Sequence, residues 1–217
     1  MRKFIINESQ IKTLLREFMQ DGFSLSSLDS LPHGERVRYC RQYLGEPIGV
    51  GCGRVVFEIG DDTVLKVCYG YDNKQNKQEY LNYISAKENY DELIDLFPKV
   101  YQTADDYSWI ECERVLPFDK QDSKKILGLP YKDNNYPSLV GFIDWAEYNV
   151  GGNVSDESDE NQLYERLIQE DEWFMKIYKY IELQNGAATD LIDDNFGLAL
   201  RNGKPHIVIL DSGSETL

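Results

Sequence analysis

The chain has 217 residues, 41% of them apolar, which predicts a globular protein with a buried core. Its 38 acidic residues outnumber 23 basic residues and give a net charge of −15, which disfavours nucleic acids and anionic membranes as partners. No apolar run reaches membrane-spanning length, and the four cysteines form no C-x-x-C pair, so reduced thiols in a cytoplasmic protein are expected.

Residues 1–44 are interpreted as an N-terminal helical extension. Residues 3–6 predict a short strand. Asn7 then resembles a helix N-cap, because apolar residues follow it at helical spacing from Ile11 to Phe18. A second short helix is predicted over residues 34–44, after a serine-rich break.

Residues 45–117 are interpreted as a mostly β region. A glycine-rich segment leads into a strand, and a Gly-Asp-Asp turn separates that strand from the next one. The predicted order is β-β-β-α-β-β, which gives a five-stranded antiparallel sheet with one helix. The strands are predicted within residues 47–59, 63–69, 97–101 and 107–115, and the helix is predicted over residues 74–90.

Residues 118–217 predict a mainly helical region that ends in a hairpin. Residues 151–161 are interpreted as an exposed acidic loop. Residues 162–184 carry the strongest amphipathic pattern and predict one helix. Two short strands at 196–200 and 206–210 flank an Asn-Gly turn, which predicts the hairpin.

The first chemical signal is the run of Gly49, Gly51 and Gly53 between the first predicted strands. Glycines in such a turn let backbone N–H groups approach phosphate oxygens. By itself the run is more typical of an ordinary glycine-rich turn.

The second signal is Lys66, which stands among apolar residues in the strand after the glycine run. Such a lysine either points to solvent or meets anions, and its position one strand after the glycines favours contact with phosphates. Glu79 in the following helix is the candidate to pair with Lys66, and Glu88 is a weaker one.

The third signal combines Asp190 and Asn195, in a D-x-x-x-x-N spacing, with Asp211 sixteen residues after Asn195. Asp211 follows the predicted hairpin and begins an Asp-Ser-Gly sequence. Carboxylate and amide oxygens are ligands that Mg²⁺ prefers. An ordinary loop is the alternative for residues 190–195 alone.

Segments 47–116 and 162–213 together resemble the protein-kinase-like superfamily, with the three signals in the same chain order. The resemblance implies a two-lobed α+β fold that binds ATP and Mg²⁺. By resemblance, Lys66 would hold phosphates with the glycines, Glu79 would brace Lys66, and Asp190 would act on the acceptor. Asn195 and Asp211 would bind the metal, and the hinge backbone near Glu113 and Val115 would meet adenine.

Several positions depart from the pattern of that family. Arg54 stands where the third glycine is expected, Ala188 and Thr189 replace His-Arg, and Ile192 replaces a lysine. The sequence ends four residues after Gly213, so a reduced helical C-lobe is expected. Its support would come from the N-terminal extension, packed on that lobe, or from a partner protein.

Two functions of different class remain open from the sequence. One is an enzyme that transfers phosphate, or a nucleotidyl group, from ATP to an acceptor. The alternative is a catalytically inactive binding or structural module, such as a pseudokinase or a phage assembly component. The opening residues 4–10 resemble the starts of proteins from bacteriophages and their hosts, which adds the virion to the cytoplasm as an expected location. A plain α+β domain with coincidental motifs is the third interpretation.

Overall fold

The computed structural model describes residues 22–118, 120–133, 137–153, 158–185, 191 and 195–210. The predicted strand at 3–6 and the helix after Asn7 lie outside these residues. The described chain forms two compact units. Unit 1 contains residues 22–76 and 100–113, and unit 2 contains residues 77–99 and the described residues from 114 onward.

Unit 1 consists of two short helices and a five-stranded antiparallel sheet in the order β1-β2-β3-β5-β4. The α+β class and the predicted five-stranded sheet are therefore confirmed. Its elements are α1 (Leu25–Ser30), α2 (His33–Leu44), β1 (Gly49–Val50), β2 (Arg54–Glu58), β3 (Thr63–Cys68), β4 (Val100–Thr103), β5 (Trp109–Glu113) and the first residues of α3 (Lys74–Asn89).

The two faces of the sheet of unit 1 have different environments. Side chains alternate between the faces along each strand. Leu65 and Val67 of β3 join Val55 and Phe57 of β2 in an apolar core. Lys66, between Leu65 and Val67, therefore lies on the opposite face.

The described part of the N-terminal extension packs on this sheet. Leu28 of α1 and Cys40 of α2 are fully buried in the same apolar core as β2 and β3. Residues 22–44 thus complete the core of unit 1, because the apolar face of the sheet needs a cover. The expected support of the C-lobe, by the extension or by a partner protein, stays a prediction.

A polar cluster attaches α2 to the turn between β4 and β5. The buried Arg36 donates hydrogen bonds to Ser108 Oγ and to the Leu31 carbonyl, and lies 3.7 Å from Asp106. His33 Nε2 lies 3.2 Å from the Asp106 carboxylate. Burial raises the pKa of Asp106, but hydrogen bonds from Ser108 and the charge of Arg36 outweigh it and hold the pKa below the ordinary 3.8.

Asp106 should therefore make the stability of unit 1 dependent on pH in acid. A folded-state pKa below the unfolded one stabilises the fold above the unfolded value, and this stability is lost as pH falls through the folded pKa. Asp106→Asn should show a shallower loss than wild type in urea unfolding measured from pH 7 to pH 3. Equal pH slopes for the two proteins would contradict this role of Asp106.

Unit 2 combines helices with a three-stranded antiparallel sheet in the order β6-β7-β8. Its elements are the rest of α3, a 3₁₀ helix (Asp91–Leu96), β6 (Val115–Pro117), α4 (Lys120–Asp122, continued by a π-helical turn at Ser123–Leu127), α5 (Leu139–Val150), α6 (Asp159–Glu170), α7 (Glu172–Leu183), β7 (Phe196–Arg201) and β8 (Lys204–Ile209).

The core of unit 2 is rich in aromatic side chains. Phe142 of α5 and Phe174 of α7 meet edge to face, with ring centroids 4.8 Å apart. Phe196, Ile207 and Ile209 bring the β7–β8 hairpin into the same core. The hairpin turn has left-handed backbone at Asn202 (φ 53°) and Gly203 (φ 73°), as the Asn-Gly sequence predicts.

The predicted single helix over 162–184 is wrong, because the chain forms two helices that meet at Asp171. Asp171 has an extended backbone, with φ −125° and ψ 121°, and its side chain accepts hydrogen bonds from the N–H groups of Trp173 and Phe174. It is therefore an N-cap within an otherwise continuous apolar pattern. The predicted loop over 151–161 is also too long, since Ser158 caps α6 at its start.

Helix α5 lies in a region to which the sequence pattern assigned no individual element. Leu139, Phe142, Ile143 and Ala146 follow helical spacing and are buried. Gly141 interrupts this pattern for a packing reason: a Cβ at that position would lie 2.5 Å from the hydroxyl of Tyr164. The glycine leaves room for the Tyr164 side chain of α6 to reach α5.

Candidate functional site

Lys66 occupies the centre of the sheet of unit 1, with only 7% of its surface exposed. In the sheet register Val56 of β2 lies opposite Gly49 of β1 on one side and opposite Lys66 of β3 on the other. On the other edge of β3, Lys66 lies opposite Ile110 of β5. Residues opposite each other in a sheet share a face. The structure therefore brings Gly49 and Lys66 to one row on the face away from the apolar core, here called the Lys66 face.

The glycine turn, residues 51–53, joins β1 to β2 beside this row. The Gly51 N–H donates to the Arg54 carbonyl at 2.9 Å, and the Tyr69 N–H donates to the Gly53 carbonyl at 3.1 Å. The φ angle lies outside the left-handed region that favours glycine at all three positions, Gly49, Gly51 and Gly53. The backbone of this turn therefore does not demand glycine.

Space does not demand glycine at the first two of these positions either. A Cβ at Gly49 would lie 3.6 Å from Val56, and one at Gly51 would lie 3.7 Å from the Arg54 carbonyl oxygen. Both are ordinary contacts. At Gly53 a Cβ would meet only the flexible end of Gln75, at 3.2 Å.

Asn76 is not among the predicted site residues, although it makes a buried polar contact with the Lys66 strand. Its amide Nδ2 donates to the Lys66 carbonyl at 3.2 Å, and its Oδ1 accepts from Arg54 at 3.1 Å. Asn76 is completely buried. In the sequence it is one of several polar residues at the start of α3, so no pattern distinguishes it.

The predicted hinge coincides with the boundary between the compact units. Glu113 is the last residue of unit 1 and is buried at the end of β5, opposite Thr63. Val115 belongs to unit 2, pairs with Ala199 and covers Gly197, where a Cβ would overlap Val115 Cγ1. The chain thus changes from one sheet to the other across Arg114.

Glu79 is buried in unit 2, about one helical turn beyond Asn76 on α3. Asn76 and Glu79 therefore share one side of the helix. The predicted pairing of Glu79 with Lys66 stays a prediction.

Of the metal-site candidates, Asn195 lies in unit 2 immediately before β7. Its carbonyl accepts a hydrogen bond of 2.7 Å from the N–H of Leu210. The hairpin thus places Asn195 opposite the residue that directly precedes Asp211 in the chain. Asp211 and Asp190 both lie outside the described residues.

Within the described ranges, no group of three or more His, Cys, Asp or Glu side chains is placed to hold a metal ion. The same ranges contain no helix with the length and apolarity needed to cross a membrane. Cys52, in the glycine turn, is exposed, whereas Cys40, Cys68 and Cys112 are buried. Burial raises the pKa of Cys40 to about 12 and that of Cys68 to about 11.

Comparison with known proteins gives no family assignment. No protein-family model matches the chain, no curated protein matches it, and no solved structure matches it.

Proposed function

We propose that the chain binds ATP with Mg²⁺, and that the glycine turn and Lys66 receive the phosphates. The observation that carries this proposal is the position of Lys66, which is buried in the central strand and shares a row with Gly49. A lysine ammonium group carries a positive charge and three hydrogen-bond donors. Phosphate oxygens are suitable partners for such a group.

The glycines support the same proposal by a separate route. Because neither backbone conformation nor space demands glycine at 49 or 51, the fold does not explain why these residues lack side chains. A bound anion does, since phosphate oxygens approach backbone N–H groups most closely where no Cβ intervenes.

The donor chemistry of the proposed metal ligands fits Mg²⁺. Asn195 and Asp211 offer an amide oxygen and a carboxylate, and Asn195 lies opposite Leu210, the neighbour of Asp211. Bound Mg²⁺ would neutralise phosphate charge. By resemblance to the kinase-like superfamily, Asp190 would orient an acceptor hydroxyl, Glu79 would brace Lys66, and the backbone of Glu113 and Val115 would meet adenine.

Transfer to an acceptor is a further step beyond binding. ADP release in the presence of candidate acceptors separates an enzyme from an inactive kinase-like module. The first test of the proposal is calorimetric titration of the protein with ATP in Mg²⁺ and in EDTA. Binding that needs Mg²⁺ is the expected result, and no heat of binding at millimolar ATP would refute the proposal.

Gly51→Ala should separate binding from stability. Its Cβ makes only ordinary contacts, so the free energy of unfolding should change by less than about 0.5 kcal/mol. The Cβ would obstruct the phosphates, and the Kd for Mg·ATP should rise about tenfold, which is about 1.4 kcal/mol.

Gly34→Ala is the matched control, because Gly34 lies in helix α2 with open space around a Cβ. It should leave the Kd unchanged and stabilise the protein by about 0.5–1 kcal/mol. Equal Kd values for Gly51→Ala and wild type would show that the glycine turn does not contact the phosphates.

A further inference from the structure

Asn76 connects three separate parts of unit 1 through one buried side chain. Its Nδ2 donates to the Lys66 carbonyl at 3.2 Å and to the Tyr107 carbonyl at 3.1 Å, and it lies 3.2 Å from Cys68 Sγ. Its Oδ1 accepts from Arg54 Nη1 at 3.1 Å. The orientation of the amide is unambiguous, because a guanidinium can only donate and a carbonyl can only accept.

These contacts differ from the usual role of an asparagine at the start of a helix. Asn76 is the third residue of α3, where polar side chains commonly accept hydrogen bonds from the first N–H groups of their own helix. The described bonds of Asn76 go instead to β2, to β3 and to the β4–β5 turn. Asn76 therefore secures strands rather than the helix end.

The contact with Arg54 reaches the glycine turn. Arg54 follows Gly53 directly, and its carbonyl closes the turn by accepting from the Gly51 N–H at 2.9 Å. The same amide holds the peptide of Lys66. This side chain thus adds a link, besides the backbone pairing of β2 with β3, between the residue next to the glycine turn and the strand of the proposed phosphate-binding lysine.

The contact with Tyr107 secures an unfavourable backbone conformation. Tyr107 has a φ of 57°, in the left-handed region that residues with a side chain seldom occupy. Its carbonyl accepts from Asn76 Nδ2. The β4–β5 turn thereby becomes the third element that depends on this amide.

We infer that Asn76 is a positioning residue that couples the glycine turn to the Lys66 strand. Nucleotide affinity then depends on a buried side chain that touches neither phosphate nor metal. This inference rests on the proposed function, and it predicts that affinity and the order of the glycine turn change together.

The test compares Asn76→Ala and Arg54→Met with wild type and with Ser108→Ala. Ser108 is a buried polar residue of the same unit that binds Arg36, so its loss destabilises unit 1 without touching β2 or Lys66. Calorimetry gives the Kd for Mg·ATP well below the unfolding temperature. The alkylation rate of Cys52, measured without nucleotide, reports the order of the glycine turn.

Asn76→Ala and Arg54→Met should each raise the Kd about tenfold and accelerate alkylation of Cys52, whereas Ser108→Ala should change neither. The double variant should bind Mg·ATP no more weakly than the single variant with the higher Kd, because both substitutions remove the same coupling. If Asn76→Ala resembles Ser108→Ala in both measurements, Asn76 is only structural and the inference fails.

Failure of the proposed nucleotide binding gives a different result from failure of the coupling. If wild type does not bind Mg·ATP, the nucleotide proposal is lost, and the Cys52 rate alone decides the coupling. Faster alkylation in Asn76→Ala and Arg54→Met but not in Ser108→Ala would still establish it, and equal rates would overturn it.

Discussion

Lys66→Met is expected to raise the Kd for Mg·ATP by about 10- to 150-fold, because a hydrogen bond to a charged group contributes about 1.5–3 kcal/mol. Methionine keeps an apolar side chain of similar length in the buried site and removes the ammonium group. The apolar volume of the site is therefore kept, and the expected loss concerns binding. Calorimetry on the purified variant measures it, with circular dichroism to show that the fold is intact.

Lys176→Met is the matched control for this prediction. Lys176 is also buried, at 8% exposure, but it lies in unit 2 and pairs with Glu172 at 2.6 Å and with Asp95 at 3.6 Å. Its loss should reduce stability and leave the Kd for Mg·ATP unchanged. If both lysine variants weaken binding equally, the effect of Lys66→Met is a general consequence of removing a buried charge.

Arg201→Met is expected to reduce stability by about 1–3 kcal/mol, because it leaves the buried Phe97 carbonyl without its charged donor. Arg201 donates to the Phe97 carbonyl at 2.7 Å and to the Asp95 carbonyl and carboxylate, both at 3.1 Å. These bonds fix the 3₁₀ helix and its C-terminal end to the β7–β8 hairpin. In urea unfolding, the midpoint should fall while the m-value stays the same.

Arg38→Ala is the control, because it removes an arginine from an exposed ion pair. Arg38 forms a bond of 3.4 Å with Glu35, three residues earlier on α2, and most of its side chain is exposed. Such pairs contribute about 0.5 kcal/mol or less. A stability loss for Arg201→Met as small as that of Arg38→Ala would show that the Arg201 bonds contribute little to unit 2.

The sequence predicted those parts of the fold that depend on local patterns. The strands on either side of the Gly-Asp-Asp turn, the helix after residue 73 and the hairpin around Asn202-Gly203 all form. Each depends on neighbouring residues: alternation for strands, helical spacing for the helix, and left-handed backbone for the turn.

The missed features depend on contacts that are distant in the sequence. Helix α5 contains Gly141, which argues against a helix until Tyr164 is known to pack against it. Asp171 lies within an apolar pattern that continues on both sides, so the cap could not be distinguished from an exposed polar position. Asn76 acquires its role only when Arg54, Lys66 and Tyr107 converge on it.

The predicted site is described in part by the structure. Gly49 and Lys66 meet in one row because the register of β1, β2 and β3 brings both opposite Val56. Asn195 lies opposite Leu210 because the pairing of β7 with β8 extends to the open end of the hairpin. Asp190 and Asp211 lie outside the described residues, so their proposed roles depend on the spacing in the sequence and on the resemblance.

The alkylation rate of Cys52 with and without Mg·ATP tests the central claim most directly. Cys52 is the exposed cysteine and lies within the glycine turn, whereas the other cysteines are buried. Mg·ATP should slow alkylation of Cys52 in wild type, and Lys66→Met should need about 10- to 150-fold more Mg·ATP for the same effect. An unchanged rate in wild type at millimolar Mg·ATP would contradict nucleotide binding at this turn.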